Sequence, residues 1–278
     1  MRLDGFSSAG IETCIEVPSL KLLLDLGRCC KSAVGIPVAV LSHGHLDHMG
    51  AIAQHAARRA MLKLGESIYV VPRAIAVQVE AFFNAAGALD GQIIPRRVVP
   101  LSPGEEFSLG NQRSLRPFET FHRVPSQGYT VWERRRRLLD AFRGLPGEAL
   151  GALRRQGQRI DEEYETSLLS FTGDTRVEVL ERTPELQRSA CLVIEATFLD
   201  DRVPVASARE MGHIHLDELL QRAELLPQAE LVFSHFSARY SQQEVETIIA
   251  ARVPEAMRAR LQLLGAAAAE ASVPAFSD

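Results

Sequence analysis

What this chain of 278 residues lacks narrows it first. No run of about eighteen apolar residues occurs, so no membrane-spanning helix is expected. The start of the chain shows no basic stretch leading into an apolar one, so no export signal is expected either. Cysteine is sparse: Cys14, Cys29, Cys30 and Cys191 contain no Cys-x-x-Cys pair, and the neighbours Cys29 and Cys30 make a poor bridge. A reduced, cytoplasmic chain is the simplest account. Positive charge is not in surplus, since the net charge is −4, and no overall basic field advertises nucleic acid. No repeat period of solenoid type occurs. The 46% hydrophobic and 24% charged residues are those of a globular chain long enough for a sizeable core. We expect one large domain over residues 1–264 and a frayed, Ala-rich tail over 265–278.

What is present concentrates in Ser42-His43-Gly44-His45-Leu46-Asp47-His48-Met49-Gly50. Three of the 8 histidines and a carboxylate fall here as His-x-His-x-Asp-His. The apolar, β-branched run 36–41 before it predicts a buried strand, and 50–64 after it predicts a helix. The ligand-type side chains then lie at the C-terminal end of a strand, where α/β folds place their sites. Imidazole and carboxylate suit Zn²⁺ and similar metals. One short loop cannot wrap four ligands around a single tetrahedral ion, but it can divide them between two. His43 and His45 point one way by alternation, and Asp47 and His48 can serve a second position.

Strands are also predicted over 13–17, 21–26, 67–71, 98–101, 106–109, 115–121, 129–132, 168–171, 191–194 and 231–233, and helices over 73–86, 216–226 and 242–252. Several strand ends present the same residue types: His122, then Asp174 in Gly173-Asp174-Thr175, then His235. An isolated His122 or His235 is as readily a satisfied core histidine; in company with the loop each gains weight. If the ends converge, His43, His45, Asp47, His48, His122, Asp174 and His235 could hold two ions about 3.5–4 Å apart that clamp both oxygens of a displacement. Residues 134–159 differ in character, with eight Arg against Asp140 and Glu148. This basic insertion, helical in part over 148–156, is either a solvated face or a phosphate-binding surface.

Taken together, His43-x-His45-x-Asp47-His48, His122, Gly173-Asp174-Thr175 and His235 resemble the signature of the metallo-β-lactamase superfamily over nearly the whole chain. The resemblance implies an α/β fold, an αββα sandwich of two mixed sheets with helices outside and metals at one edge. Glu195-Ala196-Thr197-Phe198, Gly212-His213-Ile214-His215 and His235-Phe236-Ser237-Ala238-Arg239-Tyr240 are similar to ribonuclease Z, the tRNA 3′-processing endonuclease family. Gly10-Ile11-Glu12-Thr13-Cys14, Asp25-Leu26-Gly27-Arg28-Cys29, Ser126-Gln127-Gly128-Tyr129 and Phe198-Leu199-Asp200-Asp201 are similar to its short plant-type form.

By that resemblance His43, His45 and His122 would bind one Zn²⁺, Asp47, His48 and His235 the other, with Asp174 bridging. Asp47 would also orient or deprotonate the attacking water. Glu195 and His213 would form a charged pair, His213 protonating the leaving 3′ oxygen of precursor tRNA or another phosphodiester. His213 could instead cap the helix near Leu216, and His215 has no assigned role. A homodimer is implied as well. Many members carry a long Gly- and Pro-rich arm that grips tRNA; no such run stands between the His loop and Val71, and the Arg-rich insertion sits where plant-type enzymes have one. The runner-up is a hydrolase of a small ester, thioester or lactone, which has less need of a dedicated acid.

Overall fold

The computed structural model describes residues 1–265. One sheet takes β1 (Asp4–Ala9), β2 (Glu12–Val17), β3 (Leu22–Leu24), β4 (Val38–Val40), β5 (Ile68–Pro72) and β6 (Arg97–Leu101). The second takes β7 (Phe107–Gly110), β8 (Arg113–Glu119), β9 (Gln127–Leu138), β10 (Asp161–Phe171), β11 (Cys191–Glu195), β12 (Glu230–Ser234) and β14 (Leu261–Leu263). The short β13 (Phe236–Ser237) leaves the second sheet's last connection and pairs with β1, so the orders are β13-β1-β2-β3-β4-β5-β6 and β14-β12-β11-β10-β9-β8-β7. Both sheets are mixed: β3 to β6 and β10, β11, β12, β14 run parallel, and the remaining hairpins run antiparallel.

Alternation along the strands explains the layers. In β3, Leu22 and Leu24 point between the sheets while Leu23 points outward. In β11, Val193 faces the other sheet and Leu192 and Ile194 face helices. Such strands are covered on both faces, which is why they read as continuous apolar runs. The inner layer joins Ile15, Leu24, Val40 and Val70 to Leu115, Val131, Phe171 and Val232. Outside the first sheet, α1 (Leu46–Met49), α2 (Ile52–Met61) and α3 (Ala76–Asp90) follow β4 and β5, and α2 and α3 bury Ile52, Ala56, Val79 and Phe83 against Leu23, Tyr69 and Val71. Each fully buried Leu, Ile, Val or Phe among them contributes roughly 1.5–3 kcal/mol. Beyond α4 (Gly147–Arg155), the second sheet is covered by α5 (Val179–Arg182), α7 (Leu216–Gln221), α8 (Gln242–Arg252) and α9 (Glu255–Arg258), while α6 (Val205–Met211) packs Ala208 in a separate cluster with Phe198 and Val203. The αββα sandwich expected from the resemblance is therefore the fold.

Several elements depart from expectation. The helix expected over 50–64 is the shorter α2, and a separate turn of helix, α1, precedes it inside the His loop. Strand β1 reads as polar, and it forms because both edges find partners, β2 and β13. The helix over 216–226 ends at Gln221 and continues only as a 3₁₀ turn, Ala223–Leu225. The basic insertion is not an excursion from a strand ending at 132. Instead β9 and β10 continue as a projecting two-stranded ribbon, with α4 at its tip. The expected frayed tail lies, from residue 266, outside the described residues.

Candidate active site

The loops after β4, β8, β10 and β12 meet along one edge of the sandwich, and Glu195 ends β11 beside them. Cross-sheet bonds set the first loop in place: Tyr129 donates to the Leu41 carbonyl at 2.9 Å, and the Gln127 amide to the Ser42 carbonyl at 3.0 Å. Asp174 is brought in by Gly173, whose φ is +59°. A Cβ there would lie 2.3 Å from that of Ser42, so only glycine lets the two loops touch. His122 is tied to the same loop, because the Phe121 amide donates to Thr175 Oγ1 at 2.9 Å.

All seven expected ligands converge, in two groups. His43, His45, His122 and Asp174 offer donor atoms within 4.8 Å of one another, as do Asp47, His48 and His235. Asp174 lies between the groups: Oδ2 is 3.7 Å from His43 Nε2 and 4.0 Å from His122 Nε2, while Oδ1 is 3.4 Å from His48 Nε2 and 3.3 Å from His235 Nδ1. Asp174 Oδ1 is buried and accepts no hydrogen bond among the described residues. A buried carboxylate oxygen without a donor is costly unless a cation completes it. The donor set is imidazole and carboxylate throughout, which fits Zn²⁺ or a similar metal. Burial pushes the pKa of His43 and of His122 down, keeping them neutral as metal ligands must be. Burial opposes the charge on Asp47 and Asp174, yet the surrounding imidazoles outweigh it and hold both carboxyls well below the usual range.

Glu195 and His213 sit against this edge as a pair. Glu195 is buried; Oε1 is 3.2 Å from His213 Nδ1 and accepts the Thr175 amide at 2.6 Å. Its Oε2 accepts the Ile214 amide at 3.1 Å. His213 Nδ1 also lies 3.9 Å from Asp174 Oδ2. Burial works against the His213 charge, but Glu195 outweighs it and raises the pKa to about 9. Gly212, at φ +82°, ends α6 and lets His122 donate Nδ1–H to its carbonyl at 2.9 Å; a Cβ there would lie 2.9 Å from that nitrogen. His213 does not cap the following helix. His215 does, its Nδ1 accepting the Asp217 amide at 3.1 Å in a capping box with Glu218.

The sequence reading missed the residues that orient the ligands. Asp25 is fully buried at φ +56°, and its carboxylate takes His48 Nδ1 at 2.6 Å, the Ser42 amide at 2.6 Å and the Ser42 hydroxyl at 2.7 Å. Asp47 is held by the Gly10 amide at the β1–β2 turn, 2.7 Å from Oδ2. Thr197 touches both His235 and Glu195. The sequence signals for Asp25 were its place at a strand end and in a stretch similar to the plant-type form, neither of which gave it a role.

Fold and site together define a metal-dependent hydrolase, and residues 26–236 match the family model described as the beta-lactamase superfamily domain. tRNase Z TRZ1 from Arabidopsis thaliana is 35% identical over 254 residues, 91% of this chain and 91% of its own. The chain belongs to the ribonuclease Z family of that superfamily. Solved structures share the fold. The metallo-beta-lactamase fold protein YhfI from Bacillus subtilis has a TM-score of 0.63 at 12% identity, covering 95% of this chain and 96% of that one. Human tRNase Z, short form, has a TM-score of 0.58 at 18% identity, covering 86% and 94%.

Proposed function

We propose that this chain is an endoribonuclease that removes the 3′ trailer of precursor tRNA. One observation carries the reading: a buried carboxylate–imidazole pair, Glu195–His213, stands directly beside two clusters of metal-type donors. His43, His45 and His122 would hold one Zn²⁺, Asp47, His48 and His235 a second, and Asp174 both. When bound, the ions supply an activated water and positive charge on the phosphoryl oxygens. Asp47 orients that water. Hydrolysis breaks the bond between phosphorus and the 3′ oxygen, and His213 gives that oxygen its proton while Glu195 keeps the imidazole charged. The tRNA keeps a 3′ hydroxyl and the trailer a 5′ phosphate.

The domain spans 1–264, and the ribbon at 134–159 is an RNA-facing arm of it. The four unbridged cysteines fit a reducing cytoplasm. A homodimer is supported by apolar side chains at the ends of α2 and α3: Met61 and Ile93 are exposed and line one groove of about 470 Å³, with Leu62, Leu64 and Leu89 also exposed. Sedimentation as a monomer at micromolar concentration would remove the dimer.

The zinc-loaded protein should cut a precursor tRNA once, next to the discriminator base, and should also hydrolyse bis(p-nitrophenyl) phosphate. Turnover of the small diester alone would leave the chemistry and overturn the tRNA assignment. Inactivity on both, with thioester or lactone turnover, would replace the reading.

A further inference from the structure

Thr197 follows β11 and is buried at 1% exposure. Its hydroxyl lies 2.5 Å from Glu195 Oε2 and 3.1 Å from His235 Nδ1. A hydroxyl has one proton to give and lone pairs to accept with. Glu195 is a carboxylate, an acceptor only, so the Thr197 proton goes to it. The Thr197 oxygen is then left to accept, and His235 must supply the proton from Nδ1. The other nitrogen of that ring, Nε2, faces Asp47 Oδ2 at 3.6 Å and His48 Nε2 at 3.1 Å, inside the second donor group. With Nδ1 protonated, Nε2 keeps a lone pair for a cation. Asp174 Oδ1 also lies near Nδ1, at 3.3 Å, but a metal would engage that oxygen and leave Thr197 as the acceptor.

His235 needs this fixing. Its φ is +61°, a conformation that side chains rarely adopt. Its amide donates to Ser7 Oγ at 3.0 Å, which ties the backbone but not the ring. The amide of Ser237 donates to the Thr197 carbonyl at 2.9 Å, so the two segments stay aligned on either side of the ring.

We propose that Thr197 is a positioning residue that joins the second metal group to the Glu195–His213 pair. Its one hydroxyl sets the tautomer of His235 and, at the same time, pins the carboxylate that holds His213. The chain His235–Thr197–Glu195–His213 makes metal capture and proton delivery depend on a single side chain. The part concerning His213 rests on the function proposed above; the part concerning His235 does not.

The test compares Thr197→Val, which keeps the shape and loses the hydroxyl, with Thr197→Ser, which keeps the hydroxyl. Metal-free protein is titrated with Zn²⁺ by calorimetry, and the His235 tautomer is read from imidazole ¹⁵N shifts. Thr197→Val should weaken one of the two binding steps about 10–100-fold, the range for an orienting partner of a metal ligand, and leave the other unchanged. Thr197→Ser should restore it, with the Nδ1–H tautomer seen in the parent. Two unaltered binding steps in Thr197→Val, or equal losses in both variants, would overturn the proposal, the second by showing a packing role. If Thr197→Val fails to fold, a Thr197→Ser protein with weakened binding overturns it as well. At saturating zinc, Thr197→Val should slow tRNA cleavage at least about tenfold more than hydrolysis of bis(p-nitrophenyl) phosphate, whose leaving group needs no acid. Equal slowing would overturn the link to His213. The titration uses no RNA, so it judges Thr197 even if the parent cuts no tRNA.

Discussion

At the residue scale, the proposed acid pair would separate leaving groups. An alkoxide must be protonated as it departs, whereas p-nitrophenolate leaves unaided. We therefore expect His213→Ala to slow cleavage of precursor tRNA by about 10²-fold or more, with hydrolysis of bis(p-nitrophenyl) phosphate changed by less than tenfold. Single-turnover rates at saturating zinc on both substrates check this, and an unchanged rate on tRNA would remove the role. The seven candidate ligands stood out in the sequence by residue type at strand ends, and this pair only through the family resemblance. Asp25 and Thr197 were not legible. Neither residue type is rare, and the task of each exists only through contact with a ring placed 23 or 38 positions away. His215 shows the reverse case, a histidine in a motif whose work is to cap α7.

At the element scale, the β9–β10 ribbon changes the meaning of the Arg run. Arg134, Arg135, Arg136 and Arg137 lie opposite Glu165, Tyr164, Glu163 and Glu162 in register. Arg136 and Arg137 bond Glu163 and Glu162 at 2.6 Å, Arg134 approaches Glu165 at 3.6 Å, and Arg154 reaches Asp161 at 2.8 Å. Exposed pairs of this kind contribute little to stability and weaken with salt. Much of the positive charge that looked free in the sequence is thus matched within the ribbon, and the acids that match it are distant in the chain. Only the strand register reveals that pairing, which is why the sequence left a solvated face and a phosphate-binding surface both open. Replacing residues 139–159 by a short turn should leave zinc content and small-diester hydrolysis intact and raise KM for precursor tRNA several-fold. An unchanged KM would reduce the ribbon to a solvated projection.

At the scale of the whole molecule, the sandwich was legible through its apolar runs and its resemblance, while β1, β13 and β14 were not. Those three are short or polar: β1 pairs with the adjacent β2 and with the remote β13, and β14 pairs with β12 across α8 and α9. Global stability has a pH dependence that follows from His55, a fully buried ring between α2 and the first sheet. It bonds Tyr69 at 2.7 Å and the carbonyls of Ala33 and Ile36 at 3.2 Å. Burial lowers its pKa from 6.5 to about 4, the carbonyl contacts opposing only in part. Below pH 6.5 the unfolded chain takes up a proton that the folded one refuses, so this contribution to stability is complete above 6.5 and declines towards pH 4 by about 1.4 kcal/mol per unit. In urea unfolding, the stability advantage of the parent over His55→Gln should shrink by about 2 kcal/mol between pH 7 and pH 5. A constant difference would show that His55 takes up its proton in the folded state.

The parallel pairing of Ser8 with Phe236 and of Ala9 with Ser237 has a consequence for birth on the ribosome. The chain emerges vectorially, so β1 must wait with one edge open until Phe236 and Ser237 have been made. His235 stands immediately before the segment that closes that edge. Nascent chains stalled short of it would hold His43, His45, His122 and Asp174 without the last member of the second donor group. The second donor group and the open edge of β1 are therefore completed together, by one segment made after every other candidate ligand.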